Sequence, residues 1–212
     1  MPSKTYQARK KPTQVRARAT YDAILEAAAQ LLDRQGYAGV STNSIAERAG
    51  VSIGSVYEYF ASKEAIFAAL KARLDRETLA SVLNELADVD GKDPDAFLRA
   101  VLEARVRAAL DQPRLEALLH DEIPASVFAA QSEVSMQAFD SAMRAFVDRN
   151  PGLIRVQDLD VSIKLGTAVV ELSVRHFAAN EPELLAAPAM IDALSDMMIR
   201  WILKDPSERT TK

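Results

Sequence analysis

The chain has 212 residues, of which 49% are hydrophobic and 26% are charged, and its formal net charge at pH 7 is −4. This balance is that of an ordinary folded protein, and the length suffices for one or two modest domains with a sizeable core. Cysteine is absent, which excludes disulfides and thiolate metal sites. The longest uncharged run, Gln35–Ala46, is too short for a membrane helix. We therefore expect a cytoplasmic protein with no secretory signal and no membrane partner.

Charge is distributed unevenly along the chain. Residues 1–18 carry six basic side chains and no acidic one, residues 1–65 have a net charge of +3, and the remainder has −7. A cationic head on an acidic body indicates that a polyanion binds one end of the molecule. From charge alone, a solvated basic tail without a partner is an equally good interpretation. In either case residues 1–18 are expected to form a basic flexible arm.

The first part of the chain has the periodicity of four helices. The second helix is predicted over residues 40–49 with Thr42 as its N-cap, and Ser52 and Ser62 are expected to cap the third and fourth. The first helix is expected to end before Gly36. Its apolar stripe, with steps of three and four residues, is Tyr21, Ile24, Leu25, Ala28, Leu31 and Leu32.

A polar loop over residues 88–94 is the best internal boundary, and further helices follow it. Four of them begin near a proline, which is tolerated there because the first helical N–H has no intrahelical partner. No stretch alternates apolar and polar residues for long enough to predict a strand. The predicted class is all-α with about nine helices, and the later ones cover residues 95–111, 113–122, 124–149, 157–180 and 188–204.

Residues 37–67 contain what a helix-turn-helix requires. A small apolar face ending at Ala49 precedes Gly50, which suits a tight turn, and Val51 and Val56 fill the angle between two short helices. The second of these helices starts with small residues, so that its backbone can come close to base edges in the major groove. This stretch, with the helix before it and the Ser-Lys-Glu after it, resembles the DNA-binding domain of the TetR (AcrR) family of repressors.

The resemblance implies roles for individual residues. Thr42 would contact a phosphate, Tyr57 and Tyr59 would clamp the phosphates that flank the groove, and Lys63 would add a charge at a helix N-terminus. Ile53 departs from the family, where many members carry a polar residue, so direct base readout is expected to be sparse. The basic arm resembles one that some members lay along DNA, and a minor-groove role for it is a hypothesis. The full predicted DNA-binding set is Thr42, Asn43, Ser52, Ile53, Gly54, Ser55, Tyr57, Tyr59 and Lys63.

Two of these residues have structural alternatives. Tyr57 could pack partly in the core between helices, and Ser52 could serve simply as an N-cap, although capping and DNA contact are compatible.

The resemblance also assigns functions to the later helices. The bundle would enclose a cavity for a mostly apolar effector, and the last two long helices would form a four-helix interface with a second subunit. The alternative for the apolar stripes is the interior of a monomeric bundle. The expected pocket residues are Phe97, Val101, Phe128, Met136, Phe139 and Met143. The expected interface residues are Val169, Leu172, His176, Met190, Leu194, Met197, Met198 and Trp201.

The sequence thus predicts a ligand-responsive repressor whose partners are double-stranded operator DNA, a small-molecule effector and a second copy of the chain. Its domains would be the helix-turn-helix over residues 19–65, the bundle over 66–204 and a tail over 205–212. The alternative is a helical small-molecule-binding or enzymatic bundle in which the motif is incidental.

No cofactor, metal or catalytic residue is expected. The match of residues 50–54 to the hydrolase pattern G-x-S-x-G has no strand before it. His120, Asp121 and Glu122 point in different directions on a helix, which does not favour a metal site.

Overall fold

The computed structural model describes residues 6–9, 14–86, 93–128, 141, 144–149, 152–205 and 208. Within these ranges the regular structure is helical, apart from one isolated antiparallel bridge between Ile154 and Leu203. The all-α prediction is confirmed. None of the described helices is long and apolar enough to cross a membrane. Met136, Phe139 and Met143, predicted to line the pocket, lie outside the described residues.

The described residues form two compact units. The first contains the chain up to Arg76 together with residues 114–128, and the second contains residues 77–113 and the later part of the chain. The helices of the first unit are α1 (Val15–Gly39), α2 (Thr42–Ala49), α3 (Ile53–Tyr59), the start of α4 (Lys63–Leu86), α6 (Pro113–Asp121) and a 3-10 turn at Ala125–Val127.

The first unit has a single apolar core. Ile24, Leu25 and Leu32 of α1 are fully buried, as their spacing of three and four residues predicts. Leu115 and Leu119 of α6 enter the same core, as do Val127 and Phe128, and this apolar contact joins residues 114–128 to the N-terminal helices. Phe128, predicted to line the effector pocket, therefore belongs to the first unit.

Two helix boundaries differ from the sequence prediction. Helix α1 begins at Val15, so residues 15–18 of the predicted flexible arm are helical, and it continues past Gly36 to Gly39. Gly36 itself is non-helical (φ 67°, ψ 169°), so the regular helix ends before it, as the sequence predicts, and only a short last turn follows the kink. The N-cap of α2 is Ser41 and not Thr42, because the Ser41 hydroxyl accepts from the backbone N–H of Ser44 at 3.1 Å.

The second unit contains the end of α4, helix α5 (Pro94–Asp111), helical residues 144–149, α7 (Leu159–Asn180), α8 (Pro182–Ala186) and α9 (Pro188–Ile202). One of its clusters packs Leu98 and Leu102 of α5 against Ile163 of α7 and Met198 of α9. Charged pairs on the helix surfaces add to this packing. The guanidinium of Arg105 donates to both carboxylate oxygens of Glu171, at 2.7 and 2.8 Å, and so joins α5 to α7.

Candidate DNA interface

Helices α2 and α3 form a helix-turn-helix whose turn is fixed by the backbone. Gly50 caps α2 in the left-handed conformation (φ 67°, ψ 30°), which only glycine adopts without strain. The next N–H, that of Val51, donates to the carbonyl of Ala46 at 3.0 Å and turns the chain away from α2. Two residues later α3 begins. The turn thus holds the short helix α3 at a fixed angle to α2.

Ser52 caps α3, as the sequence predicts. Its hydroxyl accepts from the backbone N–H of Ser55 at 3.0 Å, and the side chain is exposed. The hydroxyl oxygens of Ser52 and Ser55 lie 2.9 Å apart. The first turn of α3 therefore displays small polar side chains while one of its free N–H groups is satisfied.

Helix α3 has one buried and one exposed face. Val56 and Tyr59 are buried in the core of the first unit. The exposed face carries Ile53, Gly54 and Tyr57, of which Ile53 is 38% and Tyr57 44% exposed. Tyr57 is therefore not a core residue, which was the alternative for it.

The structure brings Tyr57 and Thr42 together. The two hydroxyl oxygens lie 3.2 Å apart, although the residues are on different helices. Asn43 is exposed next to Thr42 at the start of α2. Each of these three side chains can donate a hydrogen bond to a phosphate oxygen.

Two of the predicted DNA contacts are placed elsewhere. Tyr59 is 5% exposed, and its ring packs edge-on against Tyr21 with the centroids 5.8 Å apart. The ammonium of Lys63 donates to the carbonyls of Tyr37 and Val40, at 3.0 and 3.1 Å, and lies 4.1 Å from the centre of the Tyr37 ring. Lys63 thus satisfies carbonyls at the C-terminal end of α1.

Tyr37 is the centre of a polar cluster that the sequence analysis missed. Its hydroxyl donates to Glu64 at 3.0 Å, and its backbone N–H donates to Glu122 at 2.5 Å. Burial and the adjacent Glu64 carboxylate raise the pKa of Tyr37. Burial also acts to raise the pKa of Glu64, but hydrogen bonds from Ser62 and Tyr37 and the charge of Lys63 outweigh it and hold that pKa below its ordinary value.

The local pattern gives little signal for this cluster. Glu122 is 85 residues from Tyr37 and follows a helix that could have packed against either unit. The one signal for Glu122 is indirect. A kink at Gly36 leaves the backbone N–H groups that follow it without helical acceptors, so they need an acceptor from elsewhere in the chain.

Arg9 is a second residue that sequence reasoning did not single out. Its backbone N–H donates to the carbonyl of Tyr59 at 2.7 Å, and its guanidinium donates to the carbonyl of Tyr57 at 3.1 Å. The N-terminal segment therefore contacts the C-terminal end of α3.

The serine of the G-x-S-x-G match lies between two helices. Helix α2 precedes it where a hydrolase elbow has a strand. Across the described ranges, no three His, Asp or Glu side chains are grouped so that they could hold a metal ion.

Comparison with known proteins agrees with this geometry. The family model described as bacterial regulatory proteins, tetR family, matches residues 24–70. The HTH-type transcriptional regulator BetI of Rhizobium meliloti is 30% identical over 175 residues, which cover 81% of this chain and 74% of BetI. The chain belongs to the TetR family.

Two further comparisons cover a smaller part of the chain or show its fold alone. An uncharacterized HTH-type transcriptional regulator of Mycobacterium tuberculosis is 33% identical over 96 residues, and the match spans 45% of this chain and 46% of that protein. The transcriptional regulator FadR of Bacillus subtilis, solved in complex with stearoyl-CoA, superposes with a TM-score of 0.69 at 16% identity. That superposition covers 86% of this chain and 99% of FadR.

The second unit of this TetR-family chain contains the described residues of the predicted pocket, except Phe128. Phe97 is half-buried and stacks on Phe146, with the ring centroids 4.2 Å apart and the planes within 9°. Val101, one turn further along α5, is also half-buried.

The predicted dimer residues divide by exposure. Leu194 and Met198 are 7% exposed and pack inside the second unit. Leu172 and Met197 are 56% and 44% exposed, and His176 is exposed as well. Val169, Met190 and Trp201 are half-buried.

Proposed function

We propose that this TetR-family chain is a repressor that binds a palindromic operator as a homodimer and is released by a mostly apolar small molecule. The observation that carries the proposal is the exposed surface of the helix-turn-helix, where the first turn of α3 adjoins the paired hydroxyls of Tyr57 and Thr42. The family relationship supports the same function.

The first turn of α3 is suited to base edges. Gly54 has no side chain and Ser52 has a short one, so the backbone can approach the floor of a groove about 12 Å wide. Ile53 offers apolar contact, for which a thymine methyl is the matching group. With so few donors and acceptors, part of the specificity would come from the shape of the DNA.

The hydroxyls of Tyr57 and Thr42 and the amide of Asn43 would bind phosphates beside the groove. They come from two helices, and the Tyr57 and Thr42 hydroxyls are close enough together to bind the same stretch of the DNA backbone. We leave Tyr59 and Lys63 out of this surface, because the Tyr59 ring is buried and the Lys63 ammonium already donates to two carbonyls.

Dimerisation would use the exposed apolar stripe of α7. Val161, Leu165 and Leu172 are more than half exposed and recur at steps of four and seven residues, which places them on one helix face. Met197 of α9 adds a fourth exposed apolar side chain. Burying four exposed apolar side chains against a partner surface is favourable. A second copy of the chain supplies such a surface, because it carries the same apolar stripe.

The effector would bind in the second unit, beside Phe97 and Val101 of α5. Since the structural neighbour FadR was solved with stearoyl-CoA, a long-chain acyl-CoA is the first compound to titrate. We expect an effector to raise the melting temperature of the free protein and to lower its operator affinity, because it binds one dimer shape more tightly than the other. An acyl-CoA that does neither would remove this ligand class.

Selection of bound duplexes from a randomised DNA pool tests the proposal. The natural chain and Leu184→Ala, a matched change at an exposed site on α8, should enrich one palindromic sequence. Tyr57→Ala should reduce that enrichment strongly. If the natural chain enriches no sequence, with or without cell extract as an effector source, the small-molecule-binding bundle becomes the better interpretation.

A further inference from the structure

Helix α3 has only seven residues, and a helix this short is marginal unless contacts outside it hold both ends. Its N-terminus is capped by Ser52, and its buried face is fixed by Val56 and Tyr59. Its last carbonyls have no partner within the helix. The last turn contains no basic residue, and it contains Glu58, whose charge is unfavourable at a helix C-terminus.

Arg9 supplies what the C-terminal end of α3 lacks. Its backbone N–H donates to the carbonyl of Tyr59 at 2.7 Å, and its guanidinium donates to the carbonyl of Tyr57 at 3.1 Å. A positive charge next to the last carbonyls of a helix is also favourable for the helix dipole.

The segment before Arg9 is held in place by apolar packing. Tyr6 and Ala8 are half-buried against the core of the first unit, whereas Gln7 and Arg9 are exposed. Burial alternates along this segment, and the exposed Arg9 side chain reaches the carbonyl of Tyr57 at the end of α3.

We infer that residues 6–9 brace α3 and that Arg9 is a positioning residue for operator binding. Arg9 acts by holding the last turn of α3, on which Tyr57 is presented, and not by contacting a phosphate itself. This inference rests on the proposed function for its consequence in DNA binding, but the brace exists in the free protein and can be measured without DNA.

Hydrogen–deuterium exchange on the free full-length chain tests the brace. In Arg9→Ala, the amides of residues 57–60 should exchange about ten-fold faster, as expected for loss of a hydrogen bond from a charged donor. Amides of α1 around Ile24 should be unchanged, which separates a local effect from a loss of global stability. Arg16→Ala is the matched control, because it removes an exposed cation from the same region without touching α3. Arg9→Lys keeps the charge and should restore most of the protection.

The salt dependence of operator binding tests the consequence. A phosphate contact contributes about 0.9 to the slope of log K against log salt concentration. Arg9→Ala should weaken binding by about five-fold with that slope unchanged, since the bond it removes, from the guanidinium to the Tyr57 carbonyl, is within the protein, while the backbone N–H of residue 9 still donates to Tyr59. Equal exchange rates of the amides of residues 57–60 in Arg9→Ala and the natural chain would overturn the inference. A slope smaller by about 0.9 in Arg9→Ala would overturn it too, because that is the change expected for loss of one phosphate contact. If the natural chain binds no duplex, the proposed function fails, and the exchange measurement alone still decides whether the brace exists.

Discussion

At the scale of single residues, the hydroxyl of Tyr57 is the group most directly assigned to DNA. Tyr57→Phe removes that oxygen and keeps the ring, so we expect operator affinity to fall by about ten-fold through loss of a hydrogen bond to a charged group. Tyr59→Phe removes the same atom from a buried ring and should leave the affinity nearly unchanged. Fluorescence anisotropy with a labelled operator measures both. Equal losses in the two variants would show that the Tyr57 hydroxyl has no special role.

Gly36 is required for two reasons at one position. Its φ of 67° is strained for any other residue, and an alanine Cβ would lie 2.7 Å from the Glu122 carboxylate that accepts from Tyr37. Gly36→Ala should therefore lower the free energy of unfolding by about 1–3 kcal/mol. Gly54→Ala, at an open helical position, should be neutral or slightly stabilising. Urea denaturation compares them, and similar free energies would contradict this account of the kink.

The Tyr37–Glu64 hydrogen bond has a pH-dependent consequence. Because the folded state lowers the pKa of Glu64, its stabilising contribution is present above the unfolded pKa of about 4.5 and is lost as pH falls through the folded value. Tyr37→Phe removes a donor to the carboxylate and raises that folded pKa. We therefore expect its acid unfolding midpoint to move to higher pH, with a smaller difference between pH 4 and pH 3, where Glu64 is increasingly protonated in both proteins. Circular dichroism against pH measures this, and coincident acid transitions would contradict it.

Local chemistry decides how much of the site the sequence predicts. Ser52 is predictable as a cap because its partner is three residues away, and Gly50 because a tight turn needs a left-handed residue. The cap of α2 was misplaced by one residue. Of Ser41 and Thr42, Ser41 alone has a serine three positions later that can complete a capping box, and the structure contains that box. Glu122 and Arg9 lie beyond the reach of local patterns, since their partners are 85 and 48 residues away.

At the scale of helices, the exposed apolar stripe of α7 is the surface that we propose for the dimer interface. Leu172→Glu places a charge on a side chain that is 56% exposed, so folding should be preserved while association is lost. We expect monomers in sedimentation velocity at concentrations where the natural chain is a dimer. Leu184→Glu, at an exposed apolar site on α8, is the control and should remain dimeric. A dimer in both variants would place the interface elsewhere.

The periodic pattern of a helix predicts that the helix exists better than it predicts which apolar core the helix joins. The helices at 94–111 and 188–202 begin at the prolines that the sequence indicates. The same pattern cannot tell which core a helix joins, and α6 packs with the N-terminal helices because Leu115 and Leu119 fill their core. The short α8 was not predicted, since five residues are too few for a periodic signal.

At the scale of the whole molecule, the uneven charge and the proposed dimer lead to one geometry. Two basic N-terminal regions on an acidic dimer would meet one face of the DNA, with the two α3 helices in successive major grooves. Two-fold symmetry of the protein then requires two-fold symmetry of the operator.

The most direct test is the operator affinity after insertion of 5 base pairs between the half-sites of the selected duplex. Such an insertion rotates one half-site by about half a turn, because B-DNA has about 10.5 base pairs per turn. We predict that the affinity of the natural chain falls to that of a duplex with a single half-site, and that insertion of a full turn of 10 base pairs weakens binding as well, because the dimer fixes the distance between its α3 helices. An affinity unchanged by the 5-base-pair insertion would contradict binding by a rigid dimer.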